Sequence, residues 1–190
     1  MKRIVIFASG SGSNAENIIK FFNQTKTARV TKVFCNNENA KVLDRCKKLN
    51  INSLCFNRIE FSSTDIILNK LKEEADYIIL AGFLWKVPQN FIEAFPNKII
   101  NIHPALLPKY GGKGMYGMNV HNAVKENKET ETGITIHYVN ANYDEGAILF
   151  QTKTTLLSTD SPEIIAEKIH FLEQKHFPKV IEEVILKDNE

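Results

Sequence analysis

The chain has 190 residues, 43% hydrophobic and 24% charged, and its 24 Lys and Arg against 22 Asp and Glu leave a formal charge of +2. That composition suits one globular domain with a full core, and such scattered, nearly balanced charge offers no footprint for nucleic acid. No stretch approaches the roughly 18 apolar residues of a membrane helix, while three cysteines without metal-ligand spacing (Cys35, Cys46, Cys55) suit a reducing cytoplasm better than a disulfide framework.

Arg3–Ala8 (RIVIFA) predicts a first strand. The basic start followed by an apolar run resembles a signal peptide, but the run is short and leads into glycines. A helix over 14–23 follows, then strands over 30–36, 52–56, 77–81 and 98–103, with helices over 40–49 and 62–74 between them. Alternation of this kind predicts a parallel sheet with helices on both faces. After Tyr110 the rhythm changes. A glycine-rich loop (111–117) and a short helix (119–126) precede two strands (133–139 and 148–156) joined by NANYDEG. The last helix opens at TDSPEI, where Ser161 is the N-cap and Pro162 the first helical residue. The expected fold class is α/β: a single Rossmann-like domain over residues 1–190 with a mostly parallel twisted sheet.

In such a sheet ligands sit at the carboxyl ends of the strands. Three segments should meet there. ASGSGSNAENI places Gly10, Gly12, Ser13 and Asn14 between strand and helix, where a bare backbone and free helical N–H groups suit an anion. Gly10, Gly12 and Ala15 also fit the looser dinucleotide pattern, but strand two ends in Asn36, Asn37 and Glu38 rather than in a ribose-binding acid. A phosphomonoester is therefore preferred to NAD, with an ordinary strand–helix turn as the plain alternative. AGFLWKVP brings Phe83, Leu84, Trp85 and Val87 to the end of strand four, either as a slot for a flat ring or as core packing. NIHP ends strand five with Asn101 and His103 on one face, and Pro104 stops the ladder.

Asp144, in the loop after HYV, gains meaning only if the fold carries it to His103. A carboxylate there would favour the imidazolium and raise its pKa. His121, His137, His170 and His176 read as structural. None of the five histidines has a Cys or acid at metal-binding spacing, so no metal is expected.

In this order GSGSN, LAGF, NIHPALLPKY and HYVNANYDEG resemble the folate-dependent formyltransferase family, from Arg3 to about Ile185. The resemblance implies transfer of a formyl group from 10-formyltetrahydrofolate, a co-substrate, to the amine of glycinamide ribonucleotide in purine synthesis. It implies catalytic roles for Asn101, His103 and Asp144, the first two stabilising a tetrahedral oxyanion and the third charging the histidine. It further implies ribonucleotide contacts from Gly12, Ser13, Asn14 and Glu173. Folate contacts would come from Arg58, Leu84, Trp85, Lys86, Val87, Asn101, Asn140 and Asp144, with Arg58 meeting either the folate tail or the phosphate. Trp85 stands where relatives carry an arginine, GGKGMYGMN departs from a shorter loop, and Asn119 replaces a histidine of some relatives. The implied partners are small molecules, without nucleic acid or membrane, for a cytoplasmic monomer or homodimer. Formyl transfer to another amine, hydrolysis of the donor, and a nucleotide-binding module without catalysis are the competing readings. The first two are carried by relatives with an extra domain, for which 190 residues leave no room, and near-neutral charge argues against a tRNA acceptor.

Overall fold

The computed structural model describes residues 1–188. Its elements run β1 (Lys2–Ala8), α1 (Ser13–Thr25), β2 (Ala28–Cys35), α2 (Val42–Lys48), β3 (Asn52–Cys55), α3 (Arg58–Ser62), α4 (Ile66–Glu74), β4 (Tyr77–Leu80), α5 (Gln89–Ala94), β5 (Ile99–His103), α6 (Met118–Glu126), β6 (Glu131–Tyr138), β7 (Ile148–Thr155) and α7 (Pro162–Lys187). One seven-stranded sheet takes the order β3-β2-β1-β4-β5-β6-β7. The first five strands in chain order pair parallel with one another, and β6 and β7 turn antiparallel. The sheet therefore grows one way from β1 to β3 and the other way from β4, and that reversal opens a crevice beyond the carboxyl ends of β1 and β4.

Strand alternation builds two cores from one run. Ile4, Ile6 and Ala8 face α1 and α7 in one cluster, with Ile18, Ile169 and Phe177. Val5 and Phe7 face the other way, into Phe34, Phe61, Leu71 and Phe91. Both sets are fully or almost fully buried, which is why β1 reads as unbroken apolar sequence. The second core is largely aromatic: Phe7 stacks on Phe34 at 5.2 Å between ring centroids, and Phe61 meets Phe91 edge-on at 5.1 Å.

Two expectations need correction. The helix predicted over 62–74 is two helices, α3 and α4, separated by a turn in SSTD. Thr64 Oγ1 donates to the Glu60 carbonyl at 3.0 Å and accepts from Ile66 N–H at 3.4 Å, so a short hydroxyl diverts the backbone bonds there. Asn57 and Glu60 form a capping box that starts α3 early. The second correction is an addition, the short helix α5, which local patterning does not announce. The last helix begins as expected, with Ser161 accepting from Ile164 N–H and Pro162 in its first turn. Among the described residues no helix is long and apolar enough to cross a membrane.

Candidate active site

A cleft of about 1000 Å³ lies over the crevice, lined by the three predicted strand ends together with the Gly111–Gly117 loop and α7. Ser9 ties two of those ends together: its N–H donates to the Gly82 carbonyl at 3.1 Å, and its Oγ accepts from Leu84 N–H at 3.0 Å.

At the α1 end, Gly12 is the N-cap and offers no side chain to the helix, so the first helical N–H groups point towards the cleft without a capping oxygen. Asn14 has its side chain spoken for. Its Nδ2 donates to Glu173 Oε2 at 2.9 Å, and its Oδ1 accepts from Gln174 at 2.7 Å. The fold thus brings Asn14 and Glu173 together, and their contact braces α7 against α1. His170, 3.5 Å from Glu173, is held above the usual histidine pKa by that carboxylate.

Gly12 also has a packing reason to be glycine. Its φ is +74°, and a Cβ there would overlap the Val42 side chain and lie 2.8 Å from Val42 Cα. Gly12→Val would therefore disturb α2 before it tested a ligand. At Gly10 an added methyl would meet nothing within 4 Å, and this residue lines the same cleft. Gly10→Ala should leave the melting temperature unchanged while raising KM for an anionic substrate severalfold. An unchanged KM would show that no ligand approaches this backbone closely.

At the other end, Phe83, Trp85 and Val87 pack against the aromatic core and line the cleft as well, so core packing and cleft wall are the same residues here. Leu84 is 51% exposed, and with Lys86 it extends the cleft wall towards Asn140 and Tyr143. Lys86 Nζ sits 5.4 Å over the Tyr143 ring. Arg58 does not line the cleft. It stands on the first turn of α3 with its guanidinium 4.8 Å over the Trp85 ring, a cation–π contact at the rim.

Asn101, His103 and Asp144 meet on the wall between these ends. His103 is almost fully buried. Its Nε2 is 2.7 Å from the Tyr110 carbonyl, which can only accept, so the neutral ring carries its proton on Nε2. Nδ1 is left facing Asp144 Oδ2 at 3.6 Å, too far for a hydrogen bond. Burial pushes the His103 pKa below the ordinary value and outweighs the opposing pull of Asp144 and the Tyr110 carbonyl. This corrects the expectation of a ready-made imidazolium: the resting ring is neutral, with Asp144 poised to stabilise a second proton.

Burial alone would raise the Asp144 pKa, but close approach of His137, the charge that His103 takes on in acid and an N–H from Gly112 together hold it below the usual carboxylate range. Gly112 N–H donates to Asp144 Oδ2 at 3.0 Å. Asp144 adopts φ +55°, a left-handed conformation that costs about 1–3 kcal/mol when the residue is not glycine. Two residues on, Gly146 lies so close to β6 that a Cβ would overlap the Tyr138 carbonyl oxygen. That contact fixes the loop against the strand.

His137, which reads from sequence as structural, belongs to the site. Its Nδ1 is 2.8 Å from the Tyr138 carbonyl, so Nδ1 holds the proton and Nε2 accepts from Asn101 Nδ2 at 3.1 Å. Asp144 Oδ1 lies 3.7 Å from the same Nε2. His137 thereby turns the amide of Asn101 and leaves one of its two N–H bonds for the cleft. A buried hub fixes the turn after His103: Thr135 Oγ1 donates to the Ala105 carbonyl and accepts from Leu107 N–H and Gln151 Nε2. No motif in the sequence marks Thr135 or Gln151. Among the described residues no group of three metal-ligating side chains occurs.

The formyl transferase family model matches residues 2–181. A chloroplastic phosphoribosylglycinamide formyltransferase of Arabidopsis thaliana is 34% identical over 187 residues, covering 95% of this chain, which spans only 64% of that protein's length. A phosphoribosylglycinamide formyltransferase of Bacillus subtilis (strain 168) is 34% identical over 193 residues, covering 97% of this chain and 95% of its own. The crystal structure of glycinamide ribonucleotide transformylase 1 from Geobacillus kaustophilus superposes with a TM-score of 0.88 at 31% identity, over 97% of this chain and 99% of that one. By sequence along nearly its whole length and by fold, the chain belongs to the formyl transferase family.

Proposed function

We propose that this protein transfers the formyl group of 10-formyltetrahydrofolate to the amine of glycinamide ribonucleotide, the activity named in its relatives. What supports this reading is the convergence of Asn101, His103 and Asp144 between an anion-suited helix end and an aromatic-edged wall. The amine attacks the formyl carbon, the new C–N bond forms, and the carbonyl electrons move to oxygen. The free N–H of Asn101 meets that oxyanion. His103 Nδ1 accepts the proton released by the attacking amine, and Asp144 stabilises the resulting imidazolium. Collapse of the intermediate restores the carbonyl and breaks the bond to the donor nitrogen, which takes the proton back from His103. The backbone of Gly12 to Asn14 and the Glu173 carboxylate hold the ribonucleotide end, and Leu84 to Val87 with Asn140 frame the folate ring.

The test is formyl transfer by purified protein supplied with the donor and candidate amines. Formylation of glycinamide ribonucleotide is expected. Donor consumption at the same rate without any amine would make the protein a hydrolase, and no consumption at all would leave a binding module. At the rim, Arg58 is assigned to the anionic tail of the folate. Arg58→Ala should raise KM for the donor and flatten its dependence on salt, whereas unchanged constants for both substrates would return Arg58 to the solvated surface.

A further inference from the structure

His121 is a buried titratable group that the mechanism above leaves unused. It lies in the first turn of α6, directly after the glycine-rich loop, and is 6% exposed. Its neighbours Val120 and Val124 fill an apolar cluster with Ala105 and Ile165, while His121 lines the cleft. Its Nδ1 is buried without any hydrogen-bond partner. Two other side-chain atoms among the described residues share that state, Asn36 Oδ1 and Glu74 Oε2, and neither of those residues lines the cleft.

An unsatisfied buried nitrogen is costly, and an apolar side chain of similar size would fill the position without that cost. A binding role explains why an imidazole occupies it. Burial favours the neutral ring, and the two ionisable groups near enough to influence it are Glu173 and His103. Those two residues mark the ribonucleotide end and the reacting end of the proposed acceptor. A neutral imidazole has one donor and one acceptor, which suits hydroxyl and amide groups rather than a phosphate or an ammonium.

We propose that His121 is a binding residue for the polar middle of the acceptor, hydrogen-bonding the hydroxyl or amide groups that lie between its anionic end and its amine. This rests on the reading of the cleft as a site for an amine-bearing ribonucleotide. The test compares His121→Leu and His121→Gln with the wild-type protein, using glycinamide ribonucleotide and 10-formyltetrahydrofolate. His121→Leu should raise KM for the ribonucleotide about tenfold to a hundredfold, the range of a lost hydrogen bond that strands its partner. KM for the donor should not move, and the melting temperature should hold or rise. His121→Gln, which keeps a donor and an acceptor, should recover part of the affinity. A His121→Leu protein with wild-type constants, or one that loses stability and both affinities together, would overturn the proposal. Wild-type protein that formylates no such amine would instead overturn the function reading beneath it.

Discussion

Asn101→Ala is expected to lower kcat about a hundred- to a thousandfold, the usual consequence of removing one oxyanion donor. The loss should fall on kcat rather than on KM. The ribonucleotide is assigned to the α1 and α7 end of the cleft, and Asn101 sits at the end of β5. The variant should fold normally, since Asn101 is only half-buried and its one side-chain hydrogen bond goes to His137. His103→Ala should cost at least as much, because it removes both the proton carrier and the ring that Asp144 faces. Steady-state kinetics beside a thermal melt would decide the matter. Near wild-type turnover in both variants would remove the β5 terminus from the reaction.

Asp144→Asn is the second large effect, with kcat falling about a hundredfold or more. Asparagine tolerates the left-handed backbone at this position and keeps an oxygen to accept the Gly112 N–H. The substitution therefore removes charge with little change of shape. Its sign with pH follows from His103. Burial already holds the His103 pKa below its ordinary value, and Asp144 is the chief opposing influence. Without that charge the pKa drops further. The neutral ring that takes up the amine's proton is then present at a lower pH than in the wild type, so the variant is least handicapped in acid and its deficit should widen as pH rises through the two His103 values. A deficit independent of pH would mean that Asp144 acts through position alone.

Asp144 also contributes to stability, in the opposite direction along the pH axis. Its folded-state pKa lies below the ordinary carboxylate value, so its contribution is complete above the unfolded-state pKa. It is lost as pH falls through the depressed folded value.

The parallel strands, their order of appearance and the two faces of β5 are legible in the sequence because they depend on local patterns: alternation, β-branched runs and glycines at strand ends. Asn101 and His103 fall on one face by periodicity alone. His137 is hidden because its importance comes from register. It is the partner of Asn101 across the β5–β6 pairing, and no local spacing announces which residue an antiparallel neighbour will present. Thr135 is hidden for the same reason, being opposite His103. Gly12 reads from sequence as a ligand contact or as part of an ordinary strand–helix turn, and its packing role stays hidden because the approach of Val42 is a contact between elements 30 residues apart along the chain. The resting protonation of His103 is equally out of reach, because proximity to an acid can be inferred from motif order, whereas depth of burial requires the packed structure.

The reversal of the sheet between β1 and β4 carries a kinetic consequence. The helix end assigned to the ribonucleotide packs over one sheet face, with α1 and α7. The segment assigned to the folate packs over the opposite face, against the aromatic core. Asn101 and His103 stand where the two approaches converge. Under the proposed assignments each substrate enters from its own end of the one cleft, and neither must depart for the other to enter. The proposed transfer therefore passes through a ternary complex, the formyl carbon moving straight from one nitrogen to the other without resting on the protein.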